Sequence, residues 1–143
     1  MQGRVLVAGE ACGIALVSSE PLSFWGGYDQ NTGEIIDRRH PLAGQIAAGR
    51  VLVIPMTRGS STTTAVFLEA ARAGAAPAGV VTSSVDHFLV LASVVADEMY
   101  GLHIPIVALS APDFATLVSG QQLELLADGR VVIRPDAGAT PSP

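Results

Sequence analysis

A single mixed α/β domain is the fold class that these 143 residues predict, and three observations carry it. Short β-branched runs broken by turn formers fill the first half of the chain, while such runs alternate with helix-forming segments in the second. No internal repeat or linker-rich stretch divides the sequence. With 49% hydrophobic against 15% charged residues the chain reads as compact rather than disordered, and its length suffices for one core but not two.

Residues 3–9 and 14–18 predict two short strands, or one bulged strand, separated by Ala11-Cys12-Gly13; Val5, Val7, Ile14 and Val17 supply the β-branched propensity. Residues 18–49 hold many turn formers and read as a long structured loop with a small hairpin at Asn31-Thr32-Gly33. Arg50-Val51-Leu52-Val53-Ile54-Pro55 is the clearest buried strand. A helix over 62–73 follows, stopped by Gly74 and Pro77, and then a strand over 79–82. Asp86 caps a helix through about Met99, which Gly101 ends. A strand over 104–109, a short helix over 111–117 and a terminal hairpin about Asp128-Gly129 complete the domain at residue 135, leaving 136–143 as a flexible C-terminal tail.

Composition excludes several functions. Eight basic against thirteen acidic residues leave no basic stripe for nucleic acid. One cysteine excludes an internal disulfide and a thiolate cluster built by this chain alone. The apolar stretches are too short to span a bilayer, so the expectation is a cytoplasmic protein without a membrane partner. Low charge with abundant Ala, Val and Leu suggests a surface partly covered by another protein.

Two local patterns stand out. Arg58-Gly59-Ser60-Ser61 lies between a buried strand and a helix, where glycine allows a tight turn and helix-start amides can receive a carboxylate or phosphate. Simple N-capping by Ser60, Ser61 or Thr62 explains the serines equally well. The run lacks both the phosphate-loop pattern and the Gly-x-Ser-x-Gly elbow. In the second pattern, Ser23-Phe24-Trp25-Gly26-Gly27, the aromatics either pin the loop to the core or form a binding wall. Of the three histidines, none at metal-ligand spacing, His40 has the best chance of facing a site, because it follows Asp37-Arg38-Arg39 in the loop. Asp97-Glu98 reads as a solvated helix face, and Cys12 as a small buried hydrophobe without a neighbouring base. One serine loop and one arginine do not complete an active site, so an enzyme using them needs groups from elsewhere.

Taken together, residues 13–18, the Glu20-Pro21-Leu22-Ser23-Phe24-Trp25-Gly26-Gly27 block, Thr32-Gly33, Ile36-Asp37, His40-Pro41-Leu42, Gly49-Arg50-Val51-Leu52-Val53, Arg58-Gly59-Ser60-Ser61, Ala76-Pro77-Ala78 and Ile104-Pro105 resemble the small subunit of aconitase X. The resemblance covers nearly the whole chain before the tail. It implies a swivelling β/β/α domain like the mobile fourth domain of aconitase, paired with a large subunit that holds an iron–sulfur cluster and most substrate ligands; this chain would bind no cofactor. It sets Ser60 in the place of aconitase's catalytic serine base. Thr62 stands where that enzyme's stretch has an arginine, and Arg58 would supply the missing charge from the other side of the loop. The resemblance further implies a hydro-lyase acting on a small carboxylate, with Gly59, Ser61, Phe24, Trp25 and His40 near the substrate. Bacterial members of the family dehydrate cis-3-hydroxy-L-proline to a pyrroline carboxylate, and archaeal members dehydrate 5-phosphomevalonate. The Lys-free, Ala-rich composition looks bacterial and selects the first. A noncatalytic assembly subunit is the competing reading. A phosphohistidine carrier fits poorly, because His87 follows Thr82-Ser83-Ser84-Val85-Asp86 instead of adjoining a Thr-Ser pair.

Overall fold

The computed structural model describes residues 1–59 and 61–135. In chain order the elements are β1 (Arg4–Val7), β2 (Ala11–Val17), β3 (Leu22–Ser23), β4 (Val51–Val53), β5 (Thr57–Arg58), α1 (Ser61–Arg72), β6 (Gly79–Thr82), α2 (His87–Tyr100), β7 (Ile106–Ala108), α3 (Ala111–Phe114), β8 (Gln122–Leu125) and β9 (Val131–Arg134).

Seven strands form one sheet in the order β1-β7-β6-β4-β2-β8-β9. The central β2, β4, β6 and β7 run parallel, whereas β1, β8 and β9 join antiparallel. Its two ends meet. The Met1 amino group donates to the Val131 carbonyl at 2.9 Å, the Val131 N–H donates back to Met1 at 2.8 Å, and Gly3 N–H donates to Gly129 at 2.9 Å. The sheet is therefore curled on itself, and closure leaves little open strand edge.

Alternation along the strands divides the apolar residues between two cores. Ala15, Val51, Val53, Val81, Val107, Leu123, Leu125 and Val131 fill the inside of the curl. Leu16, Leu52, Ile54, Val80 and Ile106 point the other way and pack against α1, α2 and the long loop. That loop has its own anchors there: Leu22, Phe24, Tyr28, Ile35, Leu42 and Ala47 are buried.

The helix ends match their local signals. Asp86 accepts from the Leu89 N–H at the start of α2, and Gly101 closes it at φ 66°. The hairpin expected at Asn31-Thr32-Gly33 is present only as isolated bridges, Tyr28 to Ile35 and Glu34 to Ile46, around a turn in which Asp29 accepts from Asn31 and Thr32. The short helix over 111–117 contracts to the four residues of α3. Cys12 requires a correction: it is exposed in β2, because it pairs with Glu124 on the outward register of the strand while its neighbours alternate inward. The expected tail, 136–143, lies outside the described residues.

Candidate functional site

The two motifs singled out in the sequence meet through a second, two-stranded sheet. There β3 and β5 run parallel, with Leu22 opposite Thr57 and Ser23 opposite Arg58. This pairing brings Ser23-Phe24-Trp25-Gly26-Gly27 alongside Arg58-Gly59 at the start of α1, although more than thirty residues separate them in the chain.

Three contacts hold the Arg58-Gly59 loop. At its entry, Asp86 Oδ2 accepts from both the Thr57 N–H at 2.7 Å and the Thr57 hydroxyl at 2.5 Å, while Oδ1 accepts from Leu89 N–H at 3.1 Å. One buried carboxylate thus ties β5 to the start of α2. At its exit, the buried Thr63 hydroxyl donates to the Arg58 carbonyl at 3.3 Å. Across the helix pair, the Thr64 hydroxyl donates to the Phe88 carbonyl at 3.0 Å. None of these residues was singled out as a site support from sequence; the Thr62-Thr63-Thr64 run was the available signal, since hydroxyls in the first turn of a helix seek nearby backbone.

Gly59 has φ 110°, a conformation that residues with a Cβ rarely adopt. A Cβ there would meet only Thr62 and Thr63 hydroxyls at 3.5 and 3.6 Å, so backbone conformation and not space requires glycine. Gly27 is the opposite case, because its Cβ would fall 2.2 Å from the Ser23 carbonyl oxygen.

Arg58, Gly59 and Ser61 are all exposed. No carboxylate pairs with Arg58 among the described residues, whose ion pairs are Arg72–Glu69, Arg130–Asp128 and Arg134–Glu124, with His103 in contact with Asp97. The first turn of α1 has no acidic residue. A guanidinium without an ion-pair partner among the described residues, beside a helix start with no acidic residue in its first turn, makes this loop receptive to an anion. Ser60 lies outside the described residues.

Phe24 and Trp25 separate. The Phe24 side chain is fully buried, its ring centroid 4.7 Å from Tyr28 and 5.8 Å edge-on from Phe67. It pins the loop and presents no surface to a ligand. Trp25 is 70% exposed, and the Ser23 hydroxyl donates to its carbonyl at 3.0 Å. His40 is also turned inward: Nδ1 accepts from Leu42 N–H at 3.1 Å and Nε2 lies 3.4 Å from the Glu20 carbonyl. These bonds fasten the loop's second half to its first, and the structure does not bring His40 to the exposed surface of Arg58 and Trp25. Tyr28 fastens it to the turn after α1, donating to Ala75 at 2.6 Å, and burial pushes its phenol pKa well above the ordinary range.

Among the described residues, no group of side chains fits an iron–sulfur cluster. Cys12 is exposed on β2, and no group of three His, Cys, Asp or Glu side chains converges among the described residues. No helix among them is long and apolar enough to cross a membrane.

The sequence matches the aconitase X swivel domain over residues 1–133. It is 42% identical over 134 residues, or 94% of this chain, to a cis-3-hydroxy-L-proline dehydratase of Pseudomonas aeruginosa, and spans 23% of that protein's length. It is 40% identical over 119 residues to the phosphomevalonate dehydratase small subunit of Methanopyrus kandleri, covering 82% of this chain and 84% of that one. The fold superposes on the crystal structure of Thermococcus kodakaraensis aconitase X (holo-form) with a TM-score of 0.83 at 31% identity, over 94% of this chain and 97% of that one. Curled sheet, flanking helices and sequence agree, and the chain belongs to the aconitase X swivel-domain family.

Proposed function

We propose that residues 1–135 form the swivel part of a hydro-lyase that dehydrates cis-3-hydroxy-L-proline to a pyrroline carboxylate, active only with a large subunit that holds the iron–sulfur cluster. The observation that carries this reading is the β3–β5 pairing, which sets an exposed tryptophan loop beside the Arg58-Gly59 turn in a chain of this family. The 42% identity to a hydroxyproline dehydratase supports the substrate. The similar match to a phosphomevalonate dehydratase small subunit supports the second candidate, 5-phosphomevalonate.

Dehydration of a 3-hydroxy acid requires a base for the proton α to the carboxylate and a group to accept the departing hydroxyl. In this reading Ser60 removes the proton, its alkoxide stabilised by α1's amides and by Arg58. Arg58 also holds the substrate carboxylate, while the positive φ of Gly59 sets the shape of the turn that presents it and Ser61 donates a hydrogen bond. Trp25 closes over the site and excludes water. The departing hydroxyl is the task of the large subunit, because the described residues of this chain offer no ligand set for a metal centre.

The test is anaerobic co-expression with the large subunit, with each chain alone as control and both substrates offered. Turnover of the proline by the pair alone is expected. Ser60→Ala should lower kcat by at least about 100-fold with assembly intact, as loss of a general base does. Unchanged activity removes Ser60 from the chemistry, and loss of assembly instead points to a noncatalytic role. Turnover of phosphomevalonate alone keeps the site but overturns the substrate.

A further inference from the structure

Helix α2 shows two different apolar faces. Leu89, Ala92, Ser93 and Ala96 pack into the core. Phe88, Leu91 and Met99, at positions i, i+3 and i+11, form a second stripe that is exposed, with half-buried Val95 at i+7 between them. Leu102 extends it past the helix end. At the other end Met56, Val85 and Phe88 line a cleft of about 210 Å³ together with Thr57, Asp86 and His87, so the stripe begins at the rim of the candidate site.

From the fractional exposures, the bare parts of Met56, Val85, Phe88, Leu91, Met99 and Leu102 amount to on the order of 500 Å², the upper range of what a monomer leaves in one patch. None of them carries a charge. A specific interface takes about 800 Å² from each partner, so the stripe could form most of one.

We infer that this stripe, from Met56 and Val85 along α2 to Met99 and Leu102, is the face on which the large subunit docks. The inference rests on the proposed two-part enzyme. Its occupant follows from position, because the stripe starts at the site that needs groups from elsewhere. A second copy seated there would set the rim against an identical rim and bring no new groups. In the Pseudomonas aeruginosa relative the matched stretch is 23% of the chain, so there the domain is joined to a far larger body.

Leu91→Glu and Met99→Glu, with Val118→Glu as an exposed apolar control elsewhere, are tested for binding to the purified large subunit without substrate. Because each site is exposed, circular dichroism should show all three folded. The stripe variants should bind at least tenfold more weakly than wild type, and the control should match wild type. In the wild-type complex, hydrogen exchange across Phe88 to Met99 should slow on binding, which tests the face without any variant. Full binding by both stripe variants, or unchanged exchange, overturns the inference alone. A stripe that mediates a homodimer of this chain overturns it in favour of a second copy. If the wild type binds no large subunit, the two-part reading fails first and the inference with it.

Discussion

Removing the Asp86 carboxylate should loosen the candidate site without touching its exposed groups. Asp86→Ala deletes three hydrogen bonds: the cap to Leu89, and the pair to Thr57 that holds the entry of the Arg58 loop. Loss of an N-cap costs about 1 kcal/mol. Stranding the half-buried Thr57 donors adds roughly 1–2 kcal/mol, below the full penalty because water can reach them. The expected destabilisation is therefore about 2–3 kcal/mol, a large share of the ~5–15 kcal/mol typical of a domain. Urea unfolding of the full chain measures it, with an unchanged m-value as the check that both states keep their compactness. Thr57→Val should cost about 1–2 kcal/mol, since the lost hydroxyl bond ends on a carboxylate. Combined with Asp86→Ala it should cost little more than Asp86→Ala alone, because the two residues share that bond. Additive costs, or an Asp86→Ala effect under about 0.5 kcal/mol, would refute the tie between β5 and α2.

Three further outcomes follow from the same geometry. Gly59→Ala should cost about 1–2 kcal/mol from the positive φ alone and abolish most activity of the assembled enzyme; wild-type turnover would show that the loop's shape is irrelevant. Phe24→Ala should destabilise by about 3–5 kcal/mol through a core cavity, whereas Trp25→Ala should change stability by under about 0.5 kcal/mol and act on turnover. Similar stability losses in calorimetry would contradict their separation. Finally, burial raises the folded-state pKa of Tyr28 above its ordinary value of 10.0. The protonated phenol therefore stabilises the fold fully below pH 10, and that contribution falls above it by up to about 1.4 kcal/mol per pH unit as the unfolded chain ionises. Tyr28→Phe should flatten the fall, and identical alkaline profiles would rule the linkage out.

Elements with local causes were legible before any tertiary structure. The cap Asp86 and the stop Gly101 bound α2, the β-branched runs mark β4 and β6, and Asp128-Gly129 turns β8 into β9. Each signal lies within a few residues of the element it specifies, so hydrophobic period and turn chemistry suffice. The family resemblance was likewise carried by residue identity alone, through the Ser23–Gly27 and Arg58–Ser61 blocks.

Whatever depends on pairing distant segments had no such trace. Strands β3 and β5 hold two residues each, too few for any period, yet their pairing assembles the candidate site. Packing on Tyr28 and Phe67 buries Phe24 beneath the loop and leaves its neighbour Trp25 outside it, and hydrogen bonds to Leu42 and Glu20 hold His40 inward. Cys12 faces outward because its register against β8 decides so, not its hydrophobicity. Local chemistry set which segments are strand, helix or turn; which side chains face a partner was decided by the closure of the sheet and the docking of the loop, since burial depends on what the rest of the chain places over each residue.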